Sequence, residues 1–91
     1  MALAFGPSVT TDANAVTVLT VLDADKASVS QVAIINDGSA DGFFSIDGGE
    51  TFRFLPGGSA RTITNITGKI GVIQIKRSGA QNMSAIHGDI L

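Results

Sequence analysis

The 91-residue sequence is long enough for one domain, since two separate cores need a longer chain. It contains no cysteine, which excludes a small scaffold held by disulfides, and its net charge of -2 with a pI near 4.9 argues against nucleic-acid binding. Apolar residues make up 44% and charged residues 15%, a balance that favours completion of a small core by association with other chains.

The first predicted element is an extended N-terminal arm, residues 1–14, where Gly6 and Pro7 interrupt any regular pattern. Residues 15–91 are predicted to form the folded domain, with a short tail at 88–91. The run 32–35 is apolar without alternation, which predicts a strand buried on both faces. Alternating or β-branched segments predict strands over residues 16–22, 29–36, 43–46, 51–55, 61–66, 70–76 and 82–87.

The most strongly patterned segment is a hairpin over residues 43–55. A glycine-rich turn at 47–50 separates two apolar runs, which is the strongest short-range signal for a hairpin. Because side chains alternate along a strand, Phe43 and Phe44 are predicted to point to opposite faces. One ring therefore enters the core and the other is left to meet an arm or a neighbouring chain.

The spacing of the strands predicts the fold class. Seven short strands recur about every ten residues with glycine-rich turns between them, and no segment keeps a helical period. We therefore expect an all-β fold, a small antiparallel β-sandwich that is jelly-roll-like or immunoglobulin-like. It would have about seven to eight strands and the extended N-terminal arm. No apolar run approaches the roughly 18 residues of a membrane helix, so we expect no membrane partner.

Residues 37–42 resemble the first half of a calcium loop, with acids at its first and fifth positions. Its twelfth position is Gly48, where a bidentate glutamate is required, so turn formation is the favoured interpretation. A weak calcium site on Asp37, Asp41 and Asp47 stays as the alternative.

A catalytic constellation is not evident in the sequence. His87 is the single histidine, and the serines lack the Gly-x-Ser-x-Gly context of a hydrolase nucleophile. Since catalysis usually needs a base together with a group that orients it, we expect no enzyme, no cofactor and no metal centre.

The charges are unevenly distributed along the chain. Residues 1–50 carry a net charge of -6 and residues 51–91 a net charge of +4. Two interpretations follow: strands from the two halves interleave and mix the charges, or identical chains meet head to tail through oppositely charged surfaces.

Four segments together resemble small β-sandwich virion proteins of tailed bacteriophages, most of all capsid cement (decoration) proteins. They are Asn36–Ser39, Gly42–Thr51, Leu55–Ser59 and Ile73–Arg77, and the resemblance spans residues 30–91. It implies a non-catalytic protein that binds the outer capsid shell and bridges neighbouring capsomers or subunits, often as a homo-oligomer. The implied partners are the major capsid protein and further copies of the chain. The implied location is the virion exterior, after synthesis in the host cytoplasm.

The resemblance and the hairpin pattern together predict a contact surface with the capsid or a neighbouring subunit. Its candidate residues are Leu3, Phe5, Pro7, Val9, Phe43 and Arg53. The alternative function is a tail- or fibre-associated sandwich module that binds host-surface carbohydrate. That alternative is weakened because the chain has neither tryptophan nor tyrosine, the amphipathic aromatics that dominate such surfaces.

Overall fold

The computed structural model describes residues 3–10 and 14–91, and within them the chain is all-β. A short 3₁₀ turn at Lys26–Ser28 interrupts the strands, and no described helix is long and apolar enough to cross a membrane. The strands are β1 (Leu3–Ser8), β2 (Val16–Thr20), β3 (Gln31–Asn36), β4 (Gly42–Ser45), β5 (Arg53–Leu55), β6 (Ser59–Thr64), β7 (Val72–Arg77) and β8 (Ile86–Ile90).

The strands form two four-stranded antiparallel sheets. The first sheet has the order β1-β8-β3-β6 and the second sheet the order β2-β7-β4-β5. Each sheet turns one apolar face, its inner face, towards the other sheet and the opposite face, its outer face, away from it. The predicted small antiparallel β-sandwich is confirmed, with eight strands.

Alternation along the strands builds the core. In β3, Val32, Ile34 and Asn36 are buried, whereas Ala33 and Ile35 are half-buried on the outer face. The prediction that this strand is buried on both faces is therefore wrong, because the outer face of the first sheet has no covering layer among the described residues. The fully buried side chains of the core include Phe44, Leu55, Ile70, Ile73, Ile75, Met83, Ile86 and Ile90.

The N-terminal segment differs from the predicted arm, since Leu3–Ser8 is an edge strand of the first sheet. It pairs antiparallel with β8, and Phe5 lies 6% exposed in the core. Phe5 is the register partner of Gly88, and a Cβ at Gly88 would lie 2.7 Å from the Phe5 Cζ. The missing side chain of Gly88 therefore makes room for the ring. Pro7 is compatible with an edge, where one side of the strand needs no donor. Residues 1–2 and 11–13 of the predicted arm lie outside the described residues.

The last strand lies further along the chain than predicted. The sequence favoured 82–87, whereas β8 spans Ile86–Ile90 and occupies an interior position between β1 and β3. Gly88 and Asp89 are typical of turns, which hid the strand. The alternation of buried Ile86, Gly88 and Ile90 shows that these residues belong to the sheet.

Candidate functional site

The β4–β5 turn is held by hydrogen bonds around Asp47. The Asp47 Oδ1 accepts from the Ser45 hydroxyl at 2.6 Å and from the Thr51 amide at 3.0 Å. The Ser45 oxygen in turn accepts from the Gly49 amide at 3.0 Å. The bond from Ser45, followed by that from Thr51, holds the pKa of the Asp47 carboxyl below its usual range, because both bonds favour the ionised form. The turn therefore fixes the chain immediately before Phe52.

The opposite end of the same hairpin is anchored by buried Asn36. Its amide donates to the Ala40 carbonyl at 2.9 Å and to the Leu55 carbonyl at 3.3 Å, and its oxygen accepts from the Gly38 amide at 3.1 Å. One side chain thus joins the 36–41 connection to the end of β5. Both ends of the hairpin are held by side-chain hydrogen bonds.

The outer face of the hairpin carries three aromatic rings, those of Phe43, Phe52 and Phe54. Phe43 and Phe54 are register partners on β4 and β5, with ring centroids 5.7 Å apart and planes tilted by 59°. Phe44, the neighbour of Phe43, is fully buried on the inner face. The prediction that Phe43 and Phe44 face opposite sides is therefore confirmed, and Phe54 is 47% exposed.

Lys76 brings a cation among these rings. It is the register partner of Phe43 on β7, and its Nζ lies 5.8 Å from the Phe43 centroid and 4.3 Å from the Phe52 centroid. Both separations fall within the range of cation–π attraction. We call Phe43, Phe52, Phe54 and Lys76 the aromatic–cationic surface.

The cations around this surface lack carboxylate partners among residues 3–10 and 14–91. The salt bridges there join Lys26 to Asp23 and His87 to Asp37. Arg53 is exposed on the edge strand β5, but as the register partner of buried Phe44 it lies on the opposite face of this sheet. Arg61 donates to the Phe54 carbonyl at 3.3 Å, which covers part of the edge of β5. The region thus presents apolar area and positive charge together.

The predicted interface residues fall into two groups. Leu3, Pro7 and Val9 are exposed on or beside the β1 edge, while Phe5 is directed into the core and does not reach the surface. Phe43 and Arg53 belong to the β4–β5 hairpin of the second sheet. The structure therefore does not bring the six residues together in one patch.

The acids of the alternative calcium site are bound separately. Asp37 pairs with His87 at 2.5 Å, and the Asp41 Oδ1 accepts from the Gly57 amide at 2.8 Å. Asp47 is bonded within its own turn. Within the described parts of the chain, no three acidic, histidine or cysteine side chains are grouped as metal ligands.

A shallow polar depression lies between two connections, at residues 39–41 and 78–81. The Asp41 carboxylate at its rim is engaged with the Gly57 amide. Two hydrogen bonds from Ser78 to the Asp41 carbonyl join its walls. The depression is therefore a junction between two loops.

Sequence reasoning missed the role of Lys76. The alternation of β7 places Ile75 inwards and Lys76 outwards, and this signal was available. The pairing of β7 with β4 was not, because the two strands are far apart in the sequence and their register depends on the whole sheet.

Comparison with known proteins adds no relative to this picture. No protein-family model matches the chain, and no curated protein sequence matches it.

Proposed function

We propose that the chain is a structural virion protein of a tailed bacteriophage, a capsid cement (decoration) protein that binds the outer shell and bridges neighbouring subunits. The sequence resemblance supplies the class of protein. The observation that supports an association role is the aromatic–cationic surface. There the 47%-exposed Phe54 packs on Phe43, which also contacts a lysine that has no carboxylate partner among the described residues. Exposed apolar area that includes aromatic side chains is typical of a surface that another protein covers.

Binding to capsids tests the proposal directly. Capsids assembled from the major capsid protein of the same genome, lacking this chain, would be incubated with purified protein and the bound copies counted. We expect saturable binding that Phe54→Ser weakens by about tenfold or more, because anchors at interfaces are often aromatic.

The matched control is Leu22→Ser. Leu22 is also an exposed apolar residue, but it lies outside the aromatic–cationic surface, in the connection that precedes Lys26. It should bind as the wild type does. Phe54→Ser should lower the free energy of unfolding by about 1 kcal/mol through its lost pair with Phe43, so urea denaturation must show that both variants are folded under the assay conditions. Absence of capsid binding by the wild type would overturn the proposal.

The carbohydrate-binding alternative has one favourable observation. Gln74 lies on the outer face of the second sheet beside Lys76 and contacts Thr17 at 3.4 Å, so amide and hydroxyl groups accompany the rings. Reproducible hits on a glycan array, lost in Phe54→Ser, would favour this function over capsid attachment.

A further inference from the structure

The outer faces of the two sheets differ in a complementary way. On the second sheet, Lys76, Phe43 and Phe54 form a register row across β7, β4 and β5. On the first sheet, Asp89, Ala33 and Thr62 form the corresponding row across β8, β3 and β6. Each row begins with a charge on an interior strand and ends on an edge strand. The charges have opposite signs.

The row on the first sheet has low side-chain bulk. Asp89 is exposed and is flanked in register by Ala4 on β1 and Ala33 on β3. The adjacent register row contains His87, which pairs with Asp37, followed by Ile35 and Ala60. We call this region the alanine–aspartate face. The methyl groups of its two register partners leave room beside the Asp89 carboxylate for flat rings from another molecule.

Spacing allows the two rows to match position by position. Neighbouring strands lie about 4.8 Å apart in any sheet, so both rows have the same pitch. Sheets that stack face to face interdigitate their side chains at a separation of about 10 Å. Stacking with Lys76 opposite Asp89 would put the Phe43 ring over Ala33 and the Phe54 ring over Thr62, a large group against a small one at each position.

We propose that the aromatic–cationic surface of one copy of this chain binds the alanine–aspartate face of a second copy. Neither Lys76 nor Asp89 forms a salt bridge within the described chain, and the contact would pair them. The contact joins different surfaces, so a pair of copies keeps one free face of each kind. Such heterologous contacts produce closed rings or open filaments rather than dimers.

The contact rests on the proposed function only for its role on the capsid, where neighbouring bound copies would touch through it. The contact itself is a property of the purified chain. Lys76 and Asp89 both lie in residues 51–91, so the contact does not account for the uneven charge of the sequence. Strands from the two halves of the chain alternate in both sheets, which confirms the interpretation that they interleave.

Charge-reversal variants test the contact by sedimentation velocity and light scattering. The wild type should show a mass that rises with concentration above the 9.3 kDa of one chain. Lys76→Glu and Asp89→Lys should each weaken self-association by more than about tenfold, because each places like charges opposite one another.

An equimolar mixture of Lys76→Glu and Asp89→Lys gives the decisive result. The new carboxylate at position 76 of one variant meets the new ammonium group at position 89 of the other, and the remaining faces retain the wild-type pair. Association should therefore return to near the wild-type level. Restoration also shows that both variants are folded. Lys69→Glu, an exposed charge reversal in the turn after β6, is the matched control and should associate as the wild type does.

Three results would overturn the contact: a wild type that stays at 9.3 kDa at all concentrations, a charge-reversal variant that associates normally, or a mixture that fails to recover. The capsid assay separates this inference from the proposed function. A chain that binds capsids but stays monomeric overturns the contact alone, and a chain that associates but does not bind capsids overturns the function alone.

Discussion

The two sheets of this sandwich have similar inner faces and contrasting outer faces. Both inner faces are built from buried aliphatic residues with one phenylalanine each, Phe5 in the first sheet and Phe44 in the second. The outer face of the first sheet has two alanines beside an exposed aspartate, Asp89, whereas that of the second carries three rings and Lys76. Folding explains the inner faces. The stability of the fold does not require the difference between the two outer faces, and this difference is the evidence for association.

The largest expected effect is a difference in unfolding free energy between substitutions on the two sides of β4. Phe44→Ala should lower the free energy of unfolding by about 3–5 kcal/mol, because the ring is fully buried and its loss leaves a cavity. Phe43→Ala, one residue away on the outer face, should cost about 1 kcal/mol through its lost aromatic pair. Urea denaturation measures both. Similar losses at the two positions would contradict the division into inner and outer faces.

The second effect tests whether the N-terminal segment belongs to the first sheet. Phe5→Ala should cost about 3 kcal/mol, the lower end of the range for buried phenylalanine, because β1 is an edge strand. Exposed Val9→Ala is the control and should change stability by less than about 0.5 kcal/mol. An unchanged denaturation midpoint for Phe5→Ala would mean that residues 3–8 form an arm.

A smaller effect is expected at the polar residue of the inner face. Asn36→Ala should cost about 1–3 kcal/mol, because it leaves the Ala40 and Leu55 carbonyls and the Gly38 amide without their partner. Hydrogen exchange should accelerate at the Gly38 amide more than at the amides of β7. Equal acceleration throughout would show that the asparagine stabilises the whole fold and not the 36–41 connection.

The smallest effect concerns the turn that presents Phe52. The pKa of Asp47 is lowered in the folded state, so its stabilising contribution is present above the unfolded value of about 3.8 and is lost as the pH falls through the folded pKa. The difference in unfolding free energy between wild type and Asp47→Asn should therefore shrink in acid. Ser45→Ala, which removes the main cause of the lowered pKa, should reduce the same pH dependence. A difference that grows in acid would contradict the assignment.

The sequence was informative where local rules decide the structure. Turn chemistry at 47–50 located the hairpin, and alternation placed Phe43 and Phe44 on opposite faces. Prediction from the sequence failed where the structure depends on pairing between strands that are distant in the chain. β1 and β8 contain Gly6, Pro7 and Gly88, which are unfavourable in isolated strands and acceptable here because an edge tolerates proline and a ring fills the space above a glycine.

The candidate site could be predicted in part for the same reason. Phe43 and Arg53 were identified from the pattern of one hairpin, but only Phe43 belongs to the aromatic–cationic surface, since Arg53 is the register partner of buried Phe44. Lys76 and the alanine–aspartate face depend on pairings between β4 and β7 and between β3 and β8. No local pattern specifies those registers. Each is fixed by the packing of the whole sheet.

Lysine labelling tests whether the aromatic–cationic surface becomes covered when copies of the chain associate. The acylation rates of Lys76 and Lys69 would be measured by mass spectrometry in unmodified protein, at low and at high protein concentration. We predict that Lys76 becomes protected at high concentration while Lys69, which is exposed outside the surface, reacts at a constant rate. Equal rates for Lys76 at both concentrations, in samples whose mass has risen above 9.3 kDa, would contradict the account.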